Sequence, residues 1–309
     1  MKEKKKILTK TWIVAVLAAI CCGLWGSAIP AIKTGYSLLQ VEGSDVASQI
    51  VFAGIRFTLA GIMVLIFASI KEKKPMLPDQ KILKYAVPVG LAQTVVQYFF
   101  FYIGVANTTG VKGGIITGTG NFVAILLACL VFRNEKFTSR KFIGCLLGFA
   151  GVVIINLMGG SLDTGFNLTG DGFVLIAQIS YGVSSVLINI FSKKVSPVIL
   201  SGTQFTMGGI VLFLIGKLMG GKLTNMNLPG GILILYLAMV SAVAYTLWSI
   251  LLTYNDVSKV AIFGFINPLC SVVLSALVLG EFKQAFNIGS LIALVLVCVG
   301  IYVVNGKKN

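Results

Sequence analysis

Long apolar stretches, broken by short polar connections, make up almost the whole chain. Ten of them, at roughly 12–32, 48–70, 84–105, 112–132, 140–157, 171–191, 197–216, 231–253, 258–279 and 286–305, approach the ~20 residues that a helix needs to cross a bilayer core. They do not alternate apolar and polar positions as the strands of a membrane β-barrel do. The pattern predicts an all-α polytopic membrane protein of ten transmembrane helices. No connection is long enough to form a soluble domain, so the function must reside among the helices. The opening "MKEKKKILTK" looks like the basic start of a secretory signal. No small-x-small cleavage site follows, and Ile20 stands where a lipoprotein box in "LAAICC" would want a small residue. The first helix is therefore expected to be retained.

Polar positions inside these stretches recur. "GNFVAILLACLVFRNE" (120–135) lies without gaps over "FINPLCSVVLSALVLGE" (265–281), so that Asn121 meets Asn267 and Glu135 meets Glu281. "GIRFTLAGIMVLIF" (54–67) lies over "GTQFTMGGIVLFLI" (202–215). Gly54, Phe57, Thr58, Gly61 and Ile62 then match Gly202, Phe205, Thr206, Gly209 and Ile210. "LWGSAIP" (24–30) matches "SYGVSSV" (180–186) more loosely. Two repeats are expected, 1–158 and 170–309, each with five spans. An odd number of spans makes the second repeat enter from the opposite side, placing Glu135 toward the cytoplasm and Glu281 toward the exterior. Inverted repeats around a central site are the architecture of alternating-access carriers.

Composition agrees: 57% of residues are hydrophobic and 11% charged, against about 25% charged in a soluble domain. The formal charge of +15 does not point to nucleic acid, because it is distributed by connection. With the N-terminus inside, nineteen Lys and Arg fall in inner segments, five in outer ones (Lys33, Lys112, Lys217, Lys222 and Lys283), and Arg56 alone within a span. That bias predicts a multi-pass protein of the plasma membrane, its surroundings the lipid bilayer, with both termini cytoplasmic. All six cysteines lie in spans, no CxxC occurs and the chain has no histidine, so neither a metal nor a cofactor is expected. GxxxxGK[ST] is absent, and "TGTGN" (117–121) lacks the third glycine of a dinucleotide loop. No Asp or Glu falls mid-span. This favours a carrier without an obligatory membrane carboxylate: a facilitator or exchanger, with coupling through the substrate's own charge as one route.

Two halves of five helices, "WG" in the first span, "RF" in the second and "NP…LGE" in the ninth resemble the EamA-type carriers of the drug/metabolite transporter superfamily. The resemblance spans nearly the whole chain and implies a transporter of small polar metabolites, amino acid export first among them. Phe122 stands where the second half has Pro268, leaving open whether the fourth span bends. Glu281 to Gly300 is three residues longer than Glu135 to Gly151, leaving open the register of the last helix.

Each polar residue in hydrocarbon needs a reason. Thr117 and Asn121 lie one turn apart, as do Asn267 and Ser271; either cavity lining or interhelical hydrogen bonding explains them. Gln178 and Tyr181 share a stripe of the sixth span, and Gln97 follows Gln93 in the third. Trp25, Tyr245 and Trp248 have polar tips that suit stacking on a ligand, or plain packing; Trp12 suits an interfacial anchor. Arg56 has the neutral Gln204 as its repeat equivalent. It can snorkel, bond backbone carbonyls, gate, or hold a substrate carboxylate. Substrate binding is expected from these twelve: Trp25, Arg56, Gln97, Thr117, Asn121, Gln178, Tyr181, Gln204, Tyr245, Trp248, Asn267 and Ser271. No catalytic set is visible, which speaks against the alternatives of an enzyme acting on lipid and, through the repeat, against a channel. Pro30 and Pro268 are expected to kink their spans. Gly144 and Gly148 form GxxxG, for close packing within the chain or in a homodimer; monomer and homodimer both stay open. Glu135 and Glu281 read as interfacial turn residues near Arg133, Lys136 and Lys283, or as gates.

Overall fold

The computed structural model describes residues 6–157, 165–279 and 288–306. Ten of its helices are long and apolar enough to cross a bilayer: α1 Thr11–Leu38, α2 Val46–Glu72, α3 Gln80–Ala106, α4 Lys112–Val131, α5 Ser139–Leu157, α6 Leu168–Phe191, α7 Pro197–Leu218, α8 Leu228–Tyr254, α9 Val257–Leu274 and α10 Ile288–Asn305. No strand occurs among the described residues. Polar residues at the ends of connections cap the helices that follow. Asp45 accepts from the Ser48 N–H at 2.9 Å, Asp79 from Ile82 at 2.7 Å and Asn227 from Gly230 at 2.8 Å. The helix bounds follow the apolar pattern closely except in α1, which runs to Leu38 rather than ending near residue 32. Lys33 and Tyr36, polar enough to read as a connection, are helical and face a cavity.

The two halves are related by an in-plane two-fold. At the antiparallel crossing of α2 and α7, a Cβ added to Gly54 would fall 2.4 Å from the Phe213 nitrogen, and one added to Gly202 would fall 2.8 Å from Leu65. Replacing each residue of the first contact by its repeat equivalent produces the second. The same holds for Gly61 against Thr206 and Gly209 against Thr58, at 2.3 and 2.4 Å. No side chain fits between these backbones, so glycine at all four positions sets the crossing distance. The rings of Phe57 and Phe205, equivalents of each other, stack at 5.5 Å and 9°. On the α1 and α6 side, Gly26 packs on Cys270 just as Gly182 packs on Ala124.

α5 and α10 obey the same relation. A Cβ at Gly151 would meet the Ala293 carbonyl at 2.8 Å, and one at Gly300 would meet the Gly144 carbonyl at 2.6 Å. The GxxxG pair Gly144 and Gly148 therefore packs within the chain, against Gly300. The register of α10 against α5 is set by this glycine contact. Glu281 and Lys283 lie outside the described residues. Pro30 sits inside an uninterrupted α1. Around Pro268 the outcome differs: α9 is helical over Val257–Ala261, tightens to a 3-10 turn at Ile262–Phe265 and resumes over Ile266–Leu279. Pro268 withholds the N–H that would bond the Gly264 carbonyl. With Phe122 in place of a proline, α4 stays α-helical from Gly110 to Leu126 and widens to a π turn only at Leu127–Val131.

Candidate functional site

A cavity of about 400 Å³ lies between the two halves, within the size range of small-molecule sites. It runs from the middle of the helices to the face opposite the N-terminus, where Lys33 and Tyr36 of α1, Gln49 of α2 and Val105 of α3 border it. Of the twelve residues expected from the sequence, nine line it: Trp25, Arg56, Gln97, Thr117, Asn121, Gln178, Tyr181, Tyr245 and Asn267. Several are two-fold equivalents: Trp25 and Tyr181, Asn121 and Asn267. Gln97 and Tyr245 are a third such pair, separated in sequence by the same interval as Arg56 and Gln204. In each pair one member comes from each half, so both repeats contribute to the centre.

Helix crossings position these groups. Gly264, exposed to Asn121 by the 3-10 turn, has no side chain to separate them: a Cβ there would fall 2.2 Å from Asn121 Oδ1. The Tyr181 hydroxyl donates to Asn121 at 3.5 Å. Trp25 rests on Tyr245 and on Trp248, with ring centroids 5.0 and 5.1 Å apart. Tyr98 and Tyr245 share a hydrogen bond between their hydroxyls. The buried polar atoms of cavity-lining residues that have no protein partner include Trp25 Nε1, Gln97 Oε1 and Asn267 Oδ1. Such atoms each carry a desolvation penalty of about 1–3 kcal/mol unless a ligand or water meets them.

Arg56 is the buried cation of this centre. It is the eleventh residue of α2, about 15 Å along a helix rising 1.5 Å per residue, and it is 3% exposed. Its Nε donates to Ser241 Oγ at 2.9 Å, and its guanidinium lies 5.1 Å from the Phe57 ring. Among the described residues no carboxylate pairs with it, and its two terminal amino groups have no hydrogen-bond acceptor. A charge at mid-membrane costs about 2.5–3.5 kcal/mol on insertion scales, so an open guanidinium fork there makes Arg56 a candidate functional residue.

The remaining three expected residues stand behind the lining. Gln204 is 1% exposed, and both its amide atoms are bonded: its nitrogen donates to Gln93 Oε1 at 2.9 Å, and its oxygen accepts from Thr94 at 2.8 Å. Trp248 supports Trp25 from the core, and Ser271 faces Gly26. The sequence reading missed Tyr36, Tyr98, Phe101 and Tyr102, which also line the cavity. Tyr98, Phe101 and Tyr102 fall in "QYFFFY", where aromatics on every side of the helix erase any stripe that would single them out.

Toward the N-terminal face the space is closed. Asn189 Nδ2 donates to the Leu252 and Asn255 carbonyls at 2.7 and 3.0 Å, and Asn255 Nδ2 to the Leu8 carbonyl at 2.9 Å. Glu135 joins this seal. It was expected near Arg133 and Lys136, but its carboxylate takes Lys141 at 2.7 Å and the Ser258 N–H at 3.2 Å, and also accepts from the Ser258 hydroxyl. Its charge thus sits at the N-terminus of α9 as well as ahead of α5, both favourable ends of the helix dipole.

Ten membrane-crossing helices, a two-fold between inverted halves and a central cavity that carries polar groups and is closed at one end define a membrane transporter. The chain belongs to the EamA-like transporter family, whose model matches residues 9–157 and 168–306. It is similar to the Bacillus subtilis protein called uncharacterized transporter YetK, with 30% identity over 273 residues, 83% of this chain and 78% of that one. It is also similar to the uncharacterized inner membrane transporter YedA of Escherichia coli K12, at 26% identity over 92% of this chain and 90% of that one. A solved crystal structure superposes with a TM-score of 0.76 at 16% identity, covering 95% of this chain and 98% of that one; this shows the fold alone.

Proposed function

We propose that the protein is a secondary carrier that moves small polar metabolites by alternating access, with amino acids the preferred class and export the direction. The observation that carries this reading is the central cavity built from two-fold pairs and sealed at one end only. Rocking the halves would exchange the open and sealed ends while keeping Trp25, Tyr181, Asn121 and Asn267 at the centre. The lining suits an α-amino acid. Arg56 offers a fork for a carboxylate. The unpaired oxygens of Gln97 and Asn267 are free to accept from an ammonium, and the rings of Trp25 and Tyr245 in the same lining suit a cation–π contact with it. The charge bias supports a cytoplasmic position for both termini, and with that orientation the described state opens outward. A continuous channel is disfavoured by the Asn189, Asn255 and Glu135 contacts that close the N-terminal face. The test is counterflow in proteoliposomes with the twenty common L-amino acids, each radiolabelled. Saturable counterflow of at least one supports the reading; flux linear in concentration, or none, rejects it.

A further inference from the structure

We infer that Arg56 makes the carrier an obligate exchanger of carboxylate-bearing substrates, because its charge can be occluded only when cargo neutralises it. The inference rests on the alternating-access reading. Arg56 and Gln204 occupy equivalent niches in the two halves. Arg56 Nε bonds Ser241 of α8, and Gln204 Nε2 bonds Gln93 of α3. The same interval of sequence separates Arg56 from Gln204 as separates Gln93 from Ser241, so one hydrogen bond is the two-fold image of the other.

The environments of the two niches differ. Arg56 borders the open cavity; Gln204 is sequestered, with both amide atoms satisfied by Gln93 and Thr94. When the halves exchange roles, Arg56 takes the sequestered position. Its image of the Gln93 and Thr94 pair is Ser241 and Ala242. Ser241 Oγ already accepts from Nε and donates to the Leu237 carbonyl at 3.0 Å. Ala242 has no polar side chain. The two terminal amino groups of a permanently charged guanidinium would be enclosed with no acceptor, where an uncompensated charge is strongly unfavourable. A carboxylate held in the fork travels with it and supplies the missing acceptors. The empty protein is thereby held in the state described, and return requires another anionic cargo.

A substrate-free measurement tests this. In a background with the six cysteines replaced, Ser192→Cys reports the sealed end and Val105→Cys the open end; Ser192 is 4% and Val105 43% exposed. With Arg56 present, N-ethylmaleimide should modify the thiol at Val105→Cys quickly and that at Ser192→Cys slowly. Arg56→Gln, which copies Gln204, should speed the Ser192→Cys reaction about tenfold or more, the population shift that ~1.4 kcal/mol produces; Arg56→Lys should leave it slow. Equal Ser192→Cys rates with Arg56 and with Arg56→Gln would overturn the inference. No reaction at Ser192→Cys in any variant, with amino acid counterflow present, would also overturn it and leave alternating access standing; with counterflow absent, both fall. Should Arg56→Gln not fold, the unaltered protein decides. Efflux of L-phenylalanine from loaded proteoliposomes should be about tenfold faster into external L-phenylalanine than into buffer or phenethylamine, which lacks the carboxylate. Equal efflux into all three, or no efflux into any, rejects exchange.

Discussion

The rings of Phe57 and Phe205 lie parallel, 5.5 Å apart, and each is the other's counterpart in the sequence repeat. A contact between equivalent residues can exist only on the axis relating them. The two-fold therefore passes between these rings, next to Arg56 on one side and Gln204 on the other. From that position the behaviour of several residues on either side follows.

The α2 and α7 crossing should tolerate no side chain at its glycines. Gly61→Ala and Gly209→Ala each place a Cβ within 2.4 Å of the facing backbone. Each should lower stability by about 1–3 kcal/mol, the range for overpacking, and to a similar degree because the contacts are images of one another. Melting temperatures of the two purified variants check this; an effect at one position alone would contradict the symmetry.

Gln204 and the two asparagines should separate stability from binding. Gln204→Ala strands the buried Gln93 oxygen and Thr94 hydroxyl, which predicts a loss of about 1–3 kcal/mol of stability with substrate affinity unchanged in the folded protein. Asn121→Ala and Asn267→Ala should do the reverse. Affinity should weaken about tenfold if a substrate group loses its partner, with little change in melting temperature, since membrane hydrogen bonds average only about 0.6 kcal/mol. Tm and substrate affinity measured on the same preparations distinguish the outcomes.

Glu135 should act as part of the seal and not as a proton carrier. Glu135→Gln removes the ion pair to Lys141 and the charge at the start of α9. The expected loss is about 1.5–3 kcal/mol, as for hydrogen bonds to charged groups, while the pH profile of counterflow keeps its shape. A flattened profile at normal protein yield would make Glu135 a coupling residue instead.

Topology is open to direct labelling. Lys222→Cys and Lys74→Cys, both at exposed connections, should differ in a cysteine-free background. An impermeant thiol reagent applied to intact cells should modify the first and reach the second only after permeabilisation. Labelling of Lys74→Cys in sealed cells would reverse the orientation.

What the chain determined alone was the part of the fold that depends on local chemistry. An apolar run of bilayer length has to be helical, because every backbone N–H and C=O in hydrocarbon must be satisfied within its own segment. Ten helices, their approximate ends and their two-repeat plan followed from that constraint and from the paired motifs around Gly54, Gly202, Asn121 and Asn267. Nine cavity-lining residues were legible because a polar group in hydrocarbon stands out against apolar neighbours. Tertiary structure decided which polar groups face the cavity and which face one another. Gln204 and Arg56 look alike as polar residues at one repeat position, yet Gln93 and Thr94 satisfy the first, while Ser241 and Ala242 leave the second open. Lys33 and Tyr36 read as a connection until α1 extended through them, and Tyr98 was lost among its aromatic neighbours. The partner of Glu135, Ser258, lies more than a hundred residues away in sequence. These distinctions depend on what lies across the interface from each residue, and helical periodicity carries information only about the helix's own faces.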